Sequence, residues 1–264
     1  MKTLILIPAR YASTRYPGKP LAALRQPNGT TKTLIQMTWE AARTVAGIDD
    51  IWIATDDDRI RTNAKGFGAH VIMTSKSCEN GTARCADALA RMEVTPDLVI
   101  NLQGDAPLTP PWFIEALIET MKADPGIAVA TPVLRCDALT YGLFVEDRHN
   151  GRVGGTTAVF DCKGDALYFS KEVIPYLPEK ERKNDGPKQV FHHVGVYAYR
   201  PKALIAYSGW KAKRLETLEG LEQLRFLENG MKVRCVEVDG RGRVFWELNN
   251  PADVARIETV LGTI

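Results

Sequence analysis

The sequence predicts an α/β domain whose sheet is mostly parallel and carries helices on both faces. Three observations lead there. Short unbroken apolar runs recur at 3–7 (TLILI), 51–54 (IWIA), 70–73 (HVIM), 97–102 (DLVINL) and 127–134 (IAVATPVL). Runs of this length, without polar alternation, are strands buried on both faces. Segments of helical spacing separate them, and a strand–helix–strand rhythm gives parallel neighbours. The chain of 264 residues suits one such domain, 1–264, with a substantial insertion.

The elements follow in order. After the first strand, 32–46 (KTLIQMTWEAARTVA) sets Leu34, Ile35, Met37, Thr38, Ala41, Ala42 and Val45 on one broad helical side. Residues 57–66 and 82–93 have the same character. The segment 109–124 (TPPWFIEALIETMKAD) opens with Thr109 as the cap and prolines in the first turn. From 136 to 200 the rhythm changes. Two short strands within 154–170 meet at DCKGD, a hairpin signal. Residues 175–189, rich in proline and charge, predict an exposed loop, and 190–200 returns to strand. Helices follow near 201–207 and 214–229, then a strand at 232–238 and a closing helix at 251–261 headed by Asn250 and Pro251.

Composition narrows the function. Hydrophobic residues are 45% and charged residues 25%, values of an ordinary folded protein. With 34 basic and 32 acidic residues the net charge is +2, which offers no electrostatic footprint for nucleic acid or an acidic membrane. Any anion must be met by a local site. The five cysteines are odd in number, scattered and free of a CxxC pair, so zinc ligation is not expected, and the reading is reduced thiols in a cytoplasmic protein. The apolar run ahead of Pro8 is too short for a signal segment or a membrane span.

Two loops carry chemistry. IPARYASTRYPGKPLA (7–22) places Arg10, Ser13, Thr14, Arg15 and Lys19 directly after the first strand. In open α/β sheets ligands bind outside the carboxyl ends of strands, and backbone N–H groups with basic side chains there suit phosphate oxygens. The alternative is a solvated basic surface. NLQGDAP (101–107) puts Asp105 at the end of another buried strand, the position for a magnesium ligand facing that loop. An aspartate in an ordinary turn is the alternative.

The first of these phrases resembles the signature of the sugar-acid cytidylyltransferases, closest to the 3-deoxy-D-manno-octulosonate (KDO) type. The likeness continues through ATDD (54–57), NGTAR (80–84), NLQGDAP, ALYFSK (166–171), HHVGVYAYR (192–200) and LEGLEQLRFLENG (218–230), in the family's order. The resemblance implies a Rossmann-like, glycosyltransferase-A-like nucleotidyltransferase fold, with 136–200 as an inserted hairpin and edge-strand part for sugar binding and dimerisation. It implies that Ala9, Arg10, Ser13 and Lys19 meet the CTP phosphates, and that Asn80, Gly81, Thr82, Arg84 and Gln103 read cytosine and ribose. It also implies that Asp105 holds Mg2+ and that Lys171, His193, Glu222 and Gln223 lie near the sugar acid. Glu222 on a solvated helix face and His193 as a satisfied strand histidine are the alternatives. Arg10, Lys19 and Asp105 would carry the chemistry: CMP transfer from CTP to the acceptor with release of pyrophosphate, in a cytoplasmic homodimer serving cell-surface polysaccharide or lipopolysaccharide synthesis.

The sequence departs from the family in the acceptor and metal half. The usual closing motif G-[VI]-D-T-P-E-D reads ELNNPAD (247–253), so Asn249 stands where a second magnesium-binding aspartate belongs, with Glu247 two residues earlier as a possible substitute. At about 2 Å from the ion a carboxylate is the better hard donor. A usual lysine is Thr157, and the arginine after YFS is Lys171, which lacks a planar fork. These changes keep two further readings open: a cytidylyltransferase with another acceptor (an amino-sugar acid or a phosphonate), and a non-catalytic CTP-binding protein.

Overall fold

The computed structural model describes residues 1–12, 16–153, 155–242 and 253–263. The first strand, β1 (Thr3–Ala9), is buried along its whole length. Its Ile5, Leu6 and Ile7 are fully covered, and each such burial contributes about 1.5–3 kcal/mol. A small hairpin follows, β2 (Ala23–Arg25) with β3 (Thr31–Thr33), where the sequence reading began the helix. The helix α1 starts later, at Leu34–Ala42, because the Thr33 side chain accepts from Gln36 N–H and caps it. Next come β4 (Asp50–Thr55), α2 (Asp58–Gly66) capped by Asp57, β5 (His70–Met73), α3 (Gly81–Ala90) capped by Asn80, and β6 (Leu98–Leu102). The helix α4 (Pro111–Ala123) has Pro110 rather than Thr109 at its cap. The Thr109 hydroxyl instead donates back to Ala106 O.

Strand β7 (Val129–Arg135) leads into the segment 136–200. There α5 (Ala138–His149), capped by Asp137, was not foreseen. It buries no residue completely, and Tyr141 and Phe144 pack on a small cluster of Cys136, Leu177 and Val190, with Phe144 also edge-on to the His192 ring at 5.0 Å. The foreseen hairpin is β8 (Thr157–Phe160) with β9 (Ala166–Ser170). The expected exposed loop instead contains α6 (Glu179–Lys183). The amine of buried Lys188 donates to the carbonyls of Glu181, Arg182 and Asn184, and so satisfies that helix end. The strand expected at 190–200 divides into β10 (Phe191–His193) and β11 (Val196–Tyr199). After α7 (Pro201–Ser208), the helix expected over 214–229 divides into α8 (Arg214–Glu219) and α9 (Leu224–Glu228), with left-handed Gly220 ending the first. Strand β12 (Arg234–Val238) and α10 (Asp253–Thr263) complete the chain; the expected helix head at Asn250 and Pro251 lies outside the described residues.

The sheet runs β5-β4-β1-β6-β11-β7, with β12 on the far side of β7. Strands β5, β4, β1 and β6 are mutually parallel, β11 enters antiparallel between β6 and β7, and β12 is parallel to β7. Six of these seven strands therefore point the same way, and their carboxyl ends share one edge. On that edge β10 continues the line of β11 along β7 and passes it to the β8–β9 hairpin. One apolar cluster fills the α1 and α4 side, with Ile5, Ile100 and Phe113, and another fills the α3 and α7 side, with Leu6, Val99 and Tyr207. No helix of the described residues is long and apolar enough to cross a membrane.

Candidate active site

The carboxyl ends of β1 and β6 touch. At Gly104 a Cβ would lie 2.9 Å from the Pro8 carbonyl oxygen and 3.3 Å from Ile35, so only glycine lets the turn after β6 rest on β1. The Thr38 hydroxyl donates to Gly104 O at 3.2 Å and pins the turn from α1. Asp105 is thereby presented beside the first loop. That loop closes through Gly18 N–H to Tyr11 O (2.9 Å) and delivers Lys19, whose Nζ pairs with Asp105 Oδ2. Ala9 is buried at the strand end, and exposed Arg10 donates from Nη1 to Glu79 O at 3.4 Å. Ser13 lies outside the described residues.

The N-terminus of α3 forms the adjoining wall. Asn80 Oδ1 accepts from Ala83 N–H (2.8 Å), while Nδ2 donates to the Tyr207 hydroxyl (2.8 Å). Gly81 lies against the Gln103 carboxamide, where a Cβ would come within 2.6 Å. The Thr82 amide donates to Glu222 Oε2 (3.1 Å), and its hydroxyl bonds Tyr199 (2.8 Å). Buried Arg84 turns inward, to Thr74 Oγ1 at 2.6 Å and Asp56 at 3.4 Å. Gln103 Nε2 donates to Asn101 Oδ1 (3.3 Å) and Glu222 Oε1 (3.4 Å). Burial raises the Glu222 pKa, partly opposed by the Thr82 amide, so this carboxylate sits inside the site and not on a solvated face.

Gln223 is buried beside it. Its Oε1 accepts from Tyr197 (3.1 Å), while its Nε2 has no partner, as is true of Asn101 Nδ2. Two uncompensated buried amide donors near the strand ends mark a polar pocket. His193 is buried deeper, with Nε2 2.9 Å from Thr131 Oγ1 and its ring against Phe169 and Tyr197. Burial, then neighbouring His192, lowers its pKa to about 3, so the ring is neutral at ordinary pH. Lys171 is held through its backbone: its N–H donates to Glu219 Oε2 (2.9 Å), and its carbonyl accepts from Arg148 (3.1 Å). Its Nζ comes within 3.0 Å of the position a Cβ would take at Gly220. Thr157 is wholly structural, its hydroxyl donating to Glu172 O (2.6 Å) and accepting from Ile174 N–H (3.2 Å).

The structure thus brings Arg10, Lys19, Asp105, Asn80, Gly81, Thr82, Gln103, Glu222 and Gln223 to one edge of the sheet, with His193 and Lys171 on its far flank. Asn249 and Glu247, the residues expected at a second metal position, lie outside the described residues. Sequence reasoning missed Asn101, Tyr197, Tyr207 and Glu219. Asn101 carried a signal: an amide in the middle of an apolar strand must have a buried partner.

An open sheet whose strand ends carry a basic loop, a capped helix start and the Asp105 carboxylate beside Lys19 defines a nucleotide-binding α/β protein of the nucleotidyltransferase class. Comparison with known proteins narrows this. A family model described as cytidylyltransferase matches residues 4–233. The 3-deoxy-manno-octulosonate cytidylyltransferase of Maricaulis maris (strain MCS10) is 42% identical over 99% of this chain and 97% of its own. The 8-amino-3,8-dideoxy-manno-octulosonate cytidylyltransferase of Shewanella frigidimarina (strain NCIMB 400) is 43% identical over 89% of each. The solved structure of a CMP:2-keto-3-deoxy-manno-octonic acid synthetase complexed with CTP superposes with a TM-score of 0.84 at 34% identity, covering 100% of this chain and 99% of that one. The chain belongs to the cytidylyltransferase family, and it is a nucleotidyltransferase enzyme.

Proposed function

We propose that this enzyme transfers CMP from CTP to an eight-carbon sugar acid, KDO or a close relative, releasing pyrophosphate. The carrying observation is the convergence of Arg10, Lys19 and Asp105 with the Asn80–Thr82 segment, Gln103 and Glu222 at one sheet edge. A hydroxyl of the acceptor attacks the α-phosphorus of CTP in line, and the bond to the β-phosphate oxygen breaks. Arg10 and Lys19, with Ser13 and the Ala9 backbone, neutralise and orient the triphosphate, so positioning and charge supply most of the acceleration. Asn80, Gly81, Thr82 and Gln103 hold the cytidine, with Arg84 bracing their segment from within through Thr74 and Asp56; Lys171, His193, Glu222 and Gln223 hold the acceptor.

A divalent cation, Mg2+, fits this donor set. Asp105 is a hard carboxylate donor beside the phosphate-binding lysine, and magnesium is commonly held by one or two carboxylates together with substrate phosphates and water. Bound there, it would supply charge neutralisation at the phosphates, with Asn249 as the second candidate ligand.

We read residues 1–264 as one domain, with 136–200 as the acceptor-binding and dimer-forming insert. Leu139 and Leu143, one turn apart on α5, and Tyr176 are exposed apolar residues that support a homodimer face there. The partners are small molecules, not nucleic acid or membrane, and the setting is cytoplasmic, in the supply of activated sugar for cell-surface polysaccharide or lipopolysaccharide. A second acceptor, the 8-amino sugar acid, is supported by the Shewanella relative's identity and by Lys171. Pyrophosphate release with CTP and Mg2+ tests both against KDO, 8-amino-KDO, sialic acid and simple phosphonates. Release with KDO is the expected result. Release with only the amino sugar or a phosphonate reassigns the acceptor, and CTP binding without any release reduces the protein to a nucleotide binder.

A further inference from the structure

Behind the nucleotide wall lies a buried ionic cluster that none of the assigned roles uses. Arg225 on α9 is 5% exposed, and Glu216 on α8 is 7% exposed. The guanidinium donates from Nε to Glu216 Oε2 (2.7 Å) and from Nη2 to Glu216 Oε1 (2.6 Å), a two-pronged contact. The same Nη2 reaches Glu79 Oε2 at 3.1 Å, Nη1 donates to Trp210 O at 3.2 Å, and the ion lies 4.4 Å from the Tyr207 ring centre. Two of these contacts, those to Glu79 and Tyr207, end next to the nucleotide segment. Glu79 directly precedes Asn80, and its carbonyl accepts from Arg10. The Tyr207 hydroxyl accepts from Asn80 Nδ2 and donates to Glu222 O at 3.4 Å.

A buried ion pair is weak evidence for stability, because well-packed apolar residues of similar volume usually serve as well. What it supplies is direction: a planar fork fixes three partners at set angles, which a lysine or an apolar side chain does not do. We propose that Arg225 is a positioning residue for the Asn80–Arg84 segment, acting through Glu79 on one side and through Tyr207 on the other. It holds both ends of the Asn80 surroundings. With Oδ1 capping α3 and Nδ2 on Tyr207, the Asn80 carboxamide has one orientation, and the Thr82 amide is aimed at Glu222. The proposal rests on the reading of this segment as the cytidine site.

The charge-balanced double variant Glu216→Leu with Arg225→Met tests it, since it removes the fork without stranding a buried charge; the one carboxylate left without its partner, Glu79, is 70% exposed. The expected result is a melting temperature that is held or raised, CTP affinity by calorimetry weakened roughly tenfold, and acceptor KM and kcat within about twofold of wild type. Tyr207→Phe deletes one hydroxyl from the same chain and should weaken CTP binding roughly threefold to fivefold. A folded double variant that binds CTP as tightly as wild type overturns the proposal. If the double variant does not fold, unchanged CTP affinity in Tyr207→Phe overturns it. Wild-type protein that binds no CTP in the same calorimeter brings down the functional reading, and this proposal with it; wild-type binding with unaltered variants brings down the proposal alone.

Discussion

The two flanks of the candidate site place their polar groups by different means. On the nucleotide flank the backbone does most of the placing: β1 and β6 end together, Gly104 lets them touch, and Asn80 caps the helix that follows β5. On the acceptor flank, side-chain carboxylates do it. Glu219 alone accepts from Ser170 Oγ (2.7 Å), Lys171 N–H (2.9 Å) and Tyr168 OH (3.3 Å), tying β9 to the end of α8. Backbone-built sites tolerate little variation in what they present. A flank built from side chains changes with single substitutions. The lesson is that substitutions should disturb the two flanks separately.

The largest expected effect breaks the nucleotide flank. Lys19→Met or Asp105→Asn should lower kcat/KM by roughly a thousandfold or more, since each removes charge complementing the triphosphate or its metal. Steady-state kinetics with an unchanged circular dichroism spectrum is the check, and a loss below about tenfold would remove this pair from the chemistry. Next is Glu219→Gln, which turns one of the two accepting oxygens into a donor and so breaks either the Lys171 N–H contact or the contacts from Ser170 and Tyr168. It should raise acceptor KM roughly thirtyfold and leave CTP affinity within about twofold. If CTP affinity falls equally, the two flanks are not separable and the comparison fails.

Legibility in the sequence follows the same division. Strands buried on both faces are read directly from unbroken apolar runs, so β1, β4, β5, β6 and β7 were foreseen near their observed places. The loop bearing Arg10 and Lys19 and the turn bearing Asp105 were visible because strand ends are where such sheets bind ligands. Helix α5 was not visible, since it covers a small cluster and leaves Leu139 and Leu143 exposed, blurring its periodicity. Nor was the divide at Gly220, where a glycine in a helical pattern reads equally as tolerated or as a stop. Side-chain partners were the least legible. Glu79 and Arg225 are 146 residues apart, Asn80 and Tyr207 are 127 apart, and nothing local in either segment announces the other.

The smallest expected effect separates the flanks by pH. His192 and His193 both lie on β10, and burial lowers their pKa values to about 4 and about 3. Unfolded histidine titrates near 6.5, so in the window between that value and about 4 the unfolded state binds more protons than the folded one. The neutral rings therefore withhold nothing above pH 6.5, and stability declines as pH falls below it. From pH 7.5 to pH 6 the loss should be somewhat under about 1 kcal/mol per ring, and it steepens towards about 1.4 kcal/mol per pH unit per ring below that. No buried histidine serves the described nucleotide flank: His70 is exposed at the start of β5. Peptide-resolved hydrogen exchange at pH 7.5 and pH 5.5 should thus show protection lost first over 156–170 and 190–199, with β1 and β6 retained. Uniform loss across both regions would mean that β8–β10 and the parallel sheet open as one unit, and the division drawn between them would have no energetic counterpart.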